Sequence, residues 1–149
     1  MNEHKEFQRG ILILALLIPI HIFLIVAFIL QLSDQPLDRN GFIILNFIFA
    51  ATYLLFYGMT TKVMDEKVVI SFGVGLIRRT IGLNRIASVV NVKNPWYYGW
   101  GIHFIPNGML YNMSGSYGVE LTMNDSGRVI RIGTKNPAQL REEIVRRLK

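Results

Sequence analysis

Two long stretches without a charged side chain constrain this chain more than any other feature. They cover residues 10–32 and 41–58, and only 17% of all residues in the protein are charged, against about 25% in soluble domains. A helix rises about 1.5 Å per residue, so the first stretch is long enough to cross a bilayer core of about 30 Å. The second stretch is near the lower length limit. We therefore predict two transmembrane helices.

The two predicted spans are joined by a short polar turn, residues 33–40, which contains Pro36. A connection this short makes the spans an antiparallel hairpin with both chain ends on one side. The alternative is a cleaved signal peptide, because Lys5 and Arg9 precede the first span. That alternative is disfavoured, since the apolar stretch is too long and no small-x-small cleavage site follows it.

Positive charge predicts which side of the membrane the termini occupy. Lys5 and Arg9 precede the first span, Lys62 and Lys67 follow the second, and the turn carries Arg39 alone. Lys and Arg accumulate on the cytoplasmic side of short loops. We therefore expect a multi-pass protein of the cell membrane, with both termini in the cytoplasm.

Polar residues inside the predicted spans are His21, Asn46 and Thr52. Counting outward from the turn puts His21 level with Thr52 and Tyr53, and Asn46 roughly 9 Å away along the axis. We therefore expect His21 and Asn46 not to form one site. Thr52 or the carbonyl freed by Pro19 would satisfy His21, and Asn46 would bridge two copies of the protein. A proton-responsive or ligand-binding His21 is the functional alternative.

After residue 58 the sequence changes to short apolar runs separated by Gly, Asn and Asp, which is typical of β-strands. Asn107-Gly108 is a strong hairpin signal, and Asn136-Pro137 marks the start of a helix with an apolar stripe. The expected strands cover residues 68–72, 76–81, 86–93, 102–105, 109–113, 119–124 and 128–132. The prediction is an α+β chain in which residues 1–58 form the N-terminal tail and hairpin. Residues 59–149 form a mainly antiparallel β barrel or sandwich with a C-terminal amphipathic helix, 137–149.

The segment Trp96-Tyr97-Tyr98-Gly99-Trp100-Gly101 is the most specific part of a wider resemblance. The other segments that carry it are residues 76–79, 86–88, 111–115, 119–121 and 131–134 with the helix start at 136–137. Through them the chain resembles the bacterial pleckstrin-homology-like (PH-like) proteins in which such a domain follows one or two membrane spans. The resemblance implies a PH-like barrel with a C-terminal helix, usually without catalytic activity. The loop that would bind an inositol lipid, residues 64–67, is as acidic as it is basic, so specific phosphoinositide recognition is not expected.

Two groups of residues are candidate contacts. The aromatic group, Trp96, Tyr97, Tyr98 and Trp100, suits a partner-binding hot spot or a membrane interface, and the alternative is packing over one end of the barrel. The basic group contains three arginines and three lysines: Arg78, Arg79, Arg85, Lys62, Lys67 and Lys93. It suits anionic lipid headgroups, worth about 1 kcal/mol per well-placed charge, and the alternative is solvated strand faces.

No catalytic sequence motif is complete in this chain. Gly73-Val74-Gly75 and Gly99-Trp100-Gly101 each lack the third glycine of a dinucleotide motif, and His4, His21 and His103 are too scattered for a metal site. Cysteine is absent, so thiolate sites are excluded. We expect no enzyme activity, no cofactor, no metal and no nucleic-acid partner.

The predicted function is a non-enzymatic, membrane-anchored binding module at the inner face of the membrane. It would contact a protein partner, a second copy of itself or anionic lipid. The alternative is a structural subunit of a larger membrane complex, with the hairpin as the packing element.

Overall fold

The computed structural model describes residues 3–34 and 37–148. Within them the chain forms nine strands, three α-helices, and two short 3-10 turns at Leu83–Arg85 and Trp96–Tyr98. The elements in chain order are β1 His4–Arg9, α1 Ile11–Leu30, α2 Arg39–Phe56, β2 Gly58–Val63, β3 Lys67–Phe72, β4 Ile77–Gly82, β5 Ile86–Lys93, β6 Gly101–Ile105, β7 Gly108–Asn112, β8 Tyr117–Met123, β9 Val129–Gly133 and α3 Pro137–Val145. The predicted α+β class is confirmed.

Helices α1 and α2 are long and apolar enough to cross a membrane, with mean hydropathies of 3.0 and 1.4. Neither helix has a buried residue. Helix α2 begins earlier than the apolar run because Asp38 caps it, accepting a hydrogen bond of 3.1 Å from the Gly41 amide. Helix α1 ends at Leu30, and the next residue, Gln31, caps it with a left-handed φ of 51°. Two residues of the predicted turn, Gln35 and Pro36, lie outside the described residues.

Strand β1 is not predicted by the sequence pattern, which indicates only an N-terminal tail before α1. β1 pairs antiparallel with β2, from His4 opposite Val63 to Arg9 opposite Gly58. Helices α1 and α2 are therefore inserted between two adjacent strands of one sheet. The chain leaves the sheet at Arg9 and returns to it at Gly58, with no linker on either side.

The strands form two sheets. The first sheet has the order β1-β2-β3-β4 and is antiparallel throughout. The second has the order β5-β8-β9-β7-β6, in which only β7 and β9 run parallel. The mainly antiparallel arrangement is confirmed, and the sheets of the described chain do not join into a closed barrel.

The core lies between the sheets and follows the period-two pattern of the strands. On β3, for example, Val68, Ile70 and Phe72 alternate with half-exposed neighbours and are almost fully buried. Helix α3 packs against β5 and β8 and buries Leu140 and Ile144 completely. It ends at Val145, earlier than predicted, and the last residue of the predicted helix, Lys149, lies outside the described part of the chain.

The C-terminal end of α2 is sealed onto the first sheet. The Val74 amide donates to the Leu54 carbonyl at 3.1 Å, and the Gly73 amide donates to the Gly58 carbonyl at 2.8 Å. Gly73 has a φ of 51°, and a Cβ atom there would lie 2.0 Å from the Leu54 oxygen. Only glycine fits this contact, so the turn between β3 and β4 fixes where α2 ends.

Candidate functional site

Three polar side chains meet between α1 and α2. The His21 Nε2 lies 3.0 Å from the Asn46 Oδ1, and the His21 Nδ1 lies 3.1 Å from the Tyr53 hydroxyl. The imidazole stacks on the Phe49 ring, with centroids 4.2 Å apart and planes within 6°. The Asn46 amide nitrogen donates to the Phe42 carbonyl at 2.8 Å, which turns the amide oxygen toward His21.

The expectation that His21 and Asn46 lie apart is wrong. Asn46, Phe49 and Tyr53 occupy positions i, i+3 and i+7 of α2, which share one face of a helix. The imidazole lies across this face, so its two nitrogens reach partners above and below its own level. Counting residue depth alone ignores the length of these side chains. Thr52 instead donates to the Ile48 carbonyl of its own helix at 2.8 Å.

His21, Asn46 and Tyr53 form a cluster in which each side chain has a hydrogen-bond partner. Asn46 presents an acceptor, so Nε2 of His21 carries a proton, and the Tyr53 hydroxyl lies within hydrogen-bond distance of both His21 Nδ1 and the Leu17 carbonyl. Every polar group in the cluster then has a partner without an added ligand. Among residues 3–34 and 37–148, no group of three or more His, Cys, Asp or Glu side chains could hold a metal ion.

The aromatic segment lies on the surface and beside the start of α1. Trp96 is 84% exposed and Tyr97 is 67% exposed. Their rings meet edge to face, as do those of Tyr97 and Tyr98. A cleft of about 250 Å³ brings Trp96 and Trp100 together with Leu12, the second residue of α1. The rings therefore pack on one another at the base of the helices.

Two further apolar side chains are exposed at the base of α2. Val74 and Leu76 belong to the turn between β3 and β4, and Leu76 is 80% exposed. The Val74 amide bonds to Leu54 in the last turn of α2. We call Trp96, Tyr97, Trp100, Val74 and Leu76 the helix-base rim. It is an exposed set of aromatic and aliphatic groups around the point where both helices leave the sheets.

The predicted basic patch is divided. Arg78 and Arg79 are neighbours on β4 and therefore point to opposite faces of the sheet. Arg79 and Arg85 line one groove, and Arg78 does not. The Arg85 guanidinium bonds to Asp125, through Nε at 3.2 Å, and this bond holds the pKa of Asp125 below its ordinary value.

Two of the predicted lysines are engaged elsewhere. Lys62 pairs with Glu3 at 2.8 Å, and the Lys93 Nζ lies 5.7 Å from the centre of the Tyr117 ring. The six basic residues therefore do not form one continuous surface.

The chain matches no protein-family profile, no curated protein and no solved structure.

Residues before α1 also connect the two sheets, which sequence reasoning missed. Gln8 is fully buried, and its side chain donates to the Gly133 carbonyl of β9. Glu6 accepts hydrogen bonds from the Thr134 hydroxyl at 2.6 Å and the Lys135 amide at 3.0 Å. No apolar alternation marks these six residues, so only their pairing with β2 reveals their role.

Proposed function

We propose that this chain is a non-enzymatic binding module that α1 and α2 anchor in the cell membrane. The termini and both sheets lie on the cytoplasmic side in this proposal. The β module, PH-like in its sequence resemblance, contacts a protein partner, a second copy or anionic lipid. Its distinguishing property is a fixed orientation at the bilayer surface.

The insertion of α1 and α2 between β1 and β2 carries this proposal. The Gly10 amide donates to the Tyr57 carbonyl at 2.8 Å, so the strand pairing continues to the first residue of the junction. A Cβ on Gly10 would lie 2.3 Å from the Phe56 oxygen. Since no flexible linker separates the helices from the sheets, the orientation of the helices also sets the orientation of the β module.

The helix-base rim supports contact between the β module and the bilayer. Trp and Tyr favour the membrane interface because they combine an apolar ring with a polar group. Exposed aliphatic groups such as Leu76, beside the end of a span, lie where lipid would bury them. In a bilayer, therefore, these groups face headgroups and upper acyl chains rather than water.

The alternative function, a structural subunit of a larger complex, requires the hairpin to pack against other spans. Unpaired polar groups on its outer surface would support that role. Among the described residues of α1 and α2, His21, Asn46, Thr52 and Tyr53 all have partners within the hairpin. The hairpin thus satisfies its own polar groups, and the binding module is the better-supported function.

Single cysteines test both the anchoring and the orientation, because the chain contains no natural cysteine. Val74→Cys and Leu76→Cys place a fluorescent label on the helix-base rim, and Asn107→Cys and Ser126→Cys place it at the ends of strands remote from the helices. In proteoliposomes, we expect headgroup spin-labelled lipids to quench the first pair and not the second. Equal quenching at all four positions would contradict a fixed orientation.

Sidedness is tested with a membrane-impermeant maleimide on intact cells. Asp34→Cys, in the turn between the helices, is expected to react without permeabilisation, and Ser126→Cys only after it. The reverse pattern would overturn the cytoplasmic location, and a protein that stays in solution without detergent would overturn the anchoring.

A further inference from the structure

A groove of about 700 Å³ lies where the two sheets fail to close. Strand β4, the edge of the first sheet, contributes Arg79. Strands β6, β7 and β9 of the second sheet contribute Phe104, Met109, Tyr111 and Ile130. This volume is within the range of about 300–1,000 Å³ that is typical of ligand clefts.

The groove runs along β7 from Tyr111 to Gly108, toward the end of the second sheet that is remote from the helices. At the near end, Asn112 of β7 lines the cleft that contains Leu12 of α1. The groove instead contains Gly108, the opposite end of β7, and Val129, its neighbour on β9. At about 3.3 Å per residue, Gly108 lies more than 10 Å along β7 from Asn112. The end of the groove that contains Gly108 and Arg128 therefore lies away from the helix-base rim.

Arg79 has an unusual position for a charged residue. It shares the inward face of β4 with Ile77, which packs against the core, and Ile81, which is 2% exposed. Arg79 nevertheless remains exposed, because no residue within 3–34 and 37–148 covers this face where the two sheets separate. An inward-pointing charge on an edge strand discourages the addition of another strand. This role explains the charge of Arg79, but it does not explain the other residues of the groove.

The other charges of the groove complete an anion-binding surface. Arg128 joins Arg79 in the lining, and within the described residues neither guanidinium has a hydrogen-bond or ion-pair partner. Asp125 is the one carboxylate of the lining, and Arg85 already binds it. Phe104 is 88% exposed beside these charges. Two unpaired cations therefore lie next to an unprotected aromatic ring and an apolar floor.

We propose that this groove binds an acidic segment of a partner protein, with carboxylates on Arg79 and Arg128 and an apolar side chain against Phe104 and Met109. Charge complementarity selects the acidic residues, because Arg presents paired donors to a carboxylate. The position of Arg128, at the end of the groove remote from the helices, argues for a protein segment rather than the headgroups of the anchoring bilayer. The inference rests on the proposed function, since it specifies the partner class of the same module.

The test uses the full-length protein in zwitterionic nanodiscs and a random twelve-residue peptide library displayed on phage. We expect the selected peptides to combine at least two Asp or Glu residues with an aromatic or aliphatic residue. The best peptide, synthesised with a fluorophore, is then titrated by anisotropy. Arg79→Gln and Arg128→Gln are each expected to weaken its binding about tenfold, the size of a lost charge-assisted hydrogen bond.

The chain offers matched controls. Arg78→Gln removes the neighbouring charge on the opposite face of β4, and Arg146→Gln removes an exposed arginine just after α3 that does not line the groove. Both are expected to leave peptide affinity within about twofold, because surface charges outside the contact contribute little. Phe104→Ser is expected to weaken binding without changing the charge.

Three results would overturn the inference. The first is a selection that yields no acidic peptides. The second is a selected peptide whose affinity is the same for Arg79→Gln, Arg128→Gln and the control variants. The third is capture of phosphatidylglycerol vesicles by the nanodisc-held protein that only the groove variants lose, which would assign the groove to lipid. The quenching experiment probes the helix-base rim and the impermeant maleimide reports sidedness, so failure of the proposed function is distinguishable from failure of the groove.

Discussion

The imidazole of His21 and the side-chain amide of Asn46 form one hydrogen bond across the helix pair, 3.0 Å from Nε2 to Oδ1. The bond to the Phe42 carbonyl orients the amide, and stacking on Phe49 orients the ring. Each partner is therefore fixed by a second contact to a residue of α2. This arrangement makes the pair a register lock that fixes α1 against α2.

Removing the register lock is expected to loosen the hairpin modestly. Asn46→Leu leaves the His21 Nε2–H without an acceptor, and His21→Phe removes the ring nitrogens while keeping a ring to stack. A double-mutant cycle with both changes should give a coupling of about 0.6 kcal/mol and at most about 1.7 kcal/mol, the range for hydrogen bonds between membrane helices. The measurement is unfolding in mixed detergent micelles.

Thr52→Val is the matched control for that cycle. Its hydroxyl bonds only to the Ile48 carbonyl of the same helix, so its loss should change stability little. Independent, fully additive effects of the Asn46 and His21 changes would show that the bond contributes nothing to the register.

Several parts of the fold could be predicted from the sequence because local chemistry determines them. Long uncharged runs can only be buried or lie in lipid, which gave α1 and α2. Alternation at Val119, Leu121 and Met123 gave β8, and the Asn136-Pro137 cap gave the start of α3. In each case the pattern lies within a few neighbouring residues, and the structure contains the element that the pattern predicts.

Other parts depend on partners far away in the chain and could not be predicted. Strand β1 is polar, and its Gln8 is buried only because Gly133 lies beside it. The groove around Arg79 exists because two sheet edges do not meet, which no short pattern records. Among the candidate contacts, the exposure of Trp96 likewise follows from tertiary structure, whereas the separation of Arg78 from Arg79 follows from the alternation of side chains along a strand.

Gly73→Ala is expected to destabilise the protein by about 2–5 kcal/mol. A left-handed residue with a side chain costs about 1–2 kcal/mol, and the new methyl group would collide with the Leu54 carbonyl, adding about 1–3 kcal/mol for overpacking. Gly127→Ala is the control, because Gly127 has a φ of 63° but no heavy atom within 4 Å of the new methyl. Thermal unfolding in detergent compares them, and equal losses would mean that the seal between α2 and the β3–β4 turn carries no stability.

Lowering the pH is expected to destabilise α3, because Glu143 becomes protonated. Its bond to Arg147, with a second to Arg146 at 2.7 Å, lowers the pKa of Glu143 below the ordinary value of 4.5. A carboxyl group with a lowered folded-state pKa stabilises the protein above the ordinary pKa, and that contribution is lost as the pH falls through the lowered value.

The variant that tests this is Glu143→Gln. It should be less stable than the parent at pH 6 and should show a smaller fall in Tm between pH 6 and pH 3. Glu142→Gln, which changes the adjacent carboxyl, should follow the parent. Parallel Tm profiles for the parent and Glu143→Gln would refute the role of this pair.

Replacing the whole helix pair by a tight turn is expected to release a folded, soluble β domain. The Gly10 amide donates a hydrogen bond to the Tyr57 carbonyl. Gly10 and Tyr57 therefore already occupy the positions that flank the turn of a β-hairpin. Substituting residues 11–56 with Asn-Gly, the preferred two-residue hairpin turn, keeps β1 paired with β2. We expect cooperative unfolding, with a lower Tm because Ile13 and Phe56 no longer pack against the core.

The contrast is a fragment that begins at Met59 and therefore lacks β1. It exposes the edge of β2, leaves the Gly133 carbonyl without Gln8, and should aggregate or unfold at lower temperature. Circular dichroism and size-exclusion chromatography of the two proteins at equal concentration compare their thermal stability and aggregation. If the fragment is as stable as the joined protein, β1 is dispensable, and the strand pair cannot be what orients the β module on its helices.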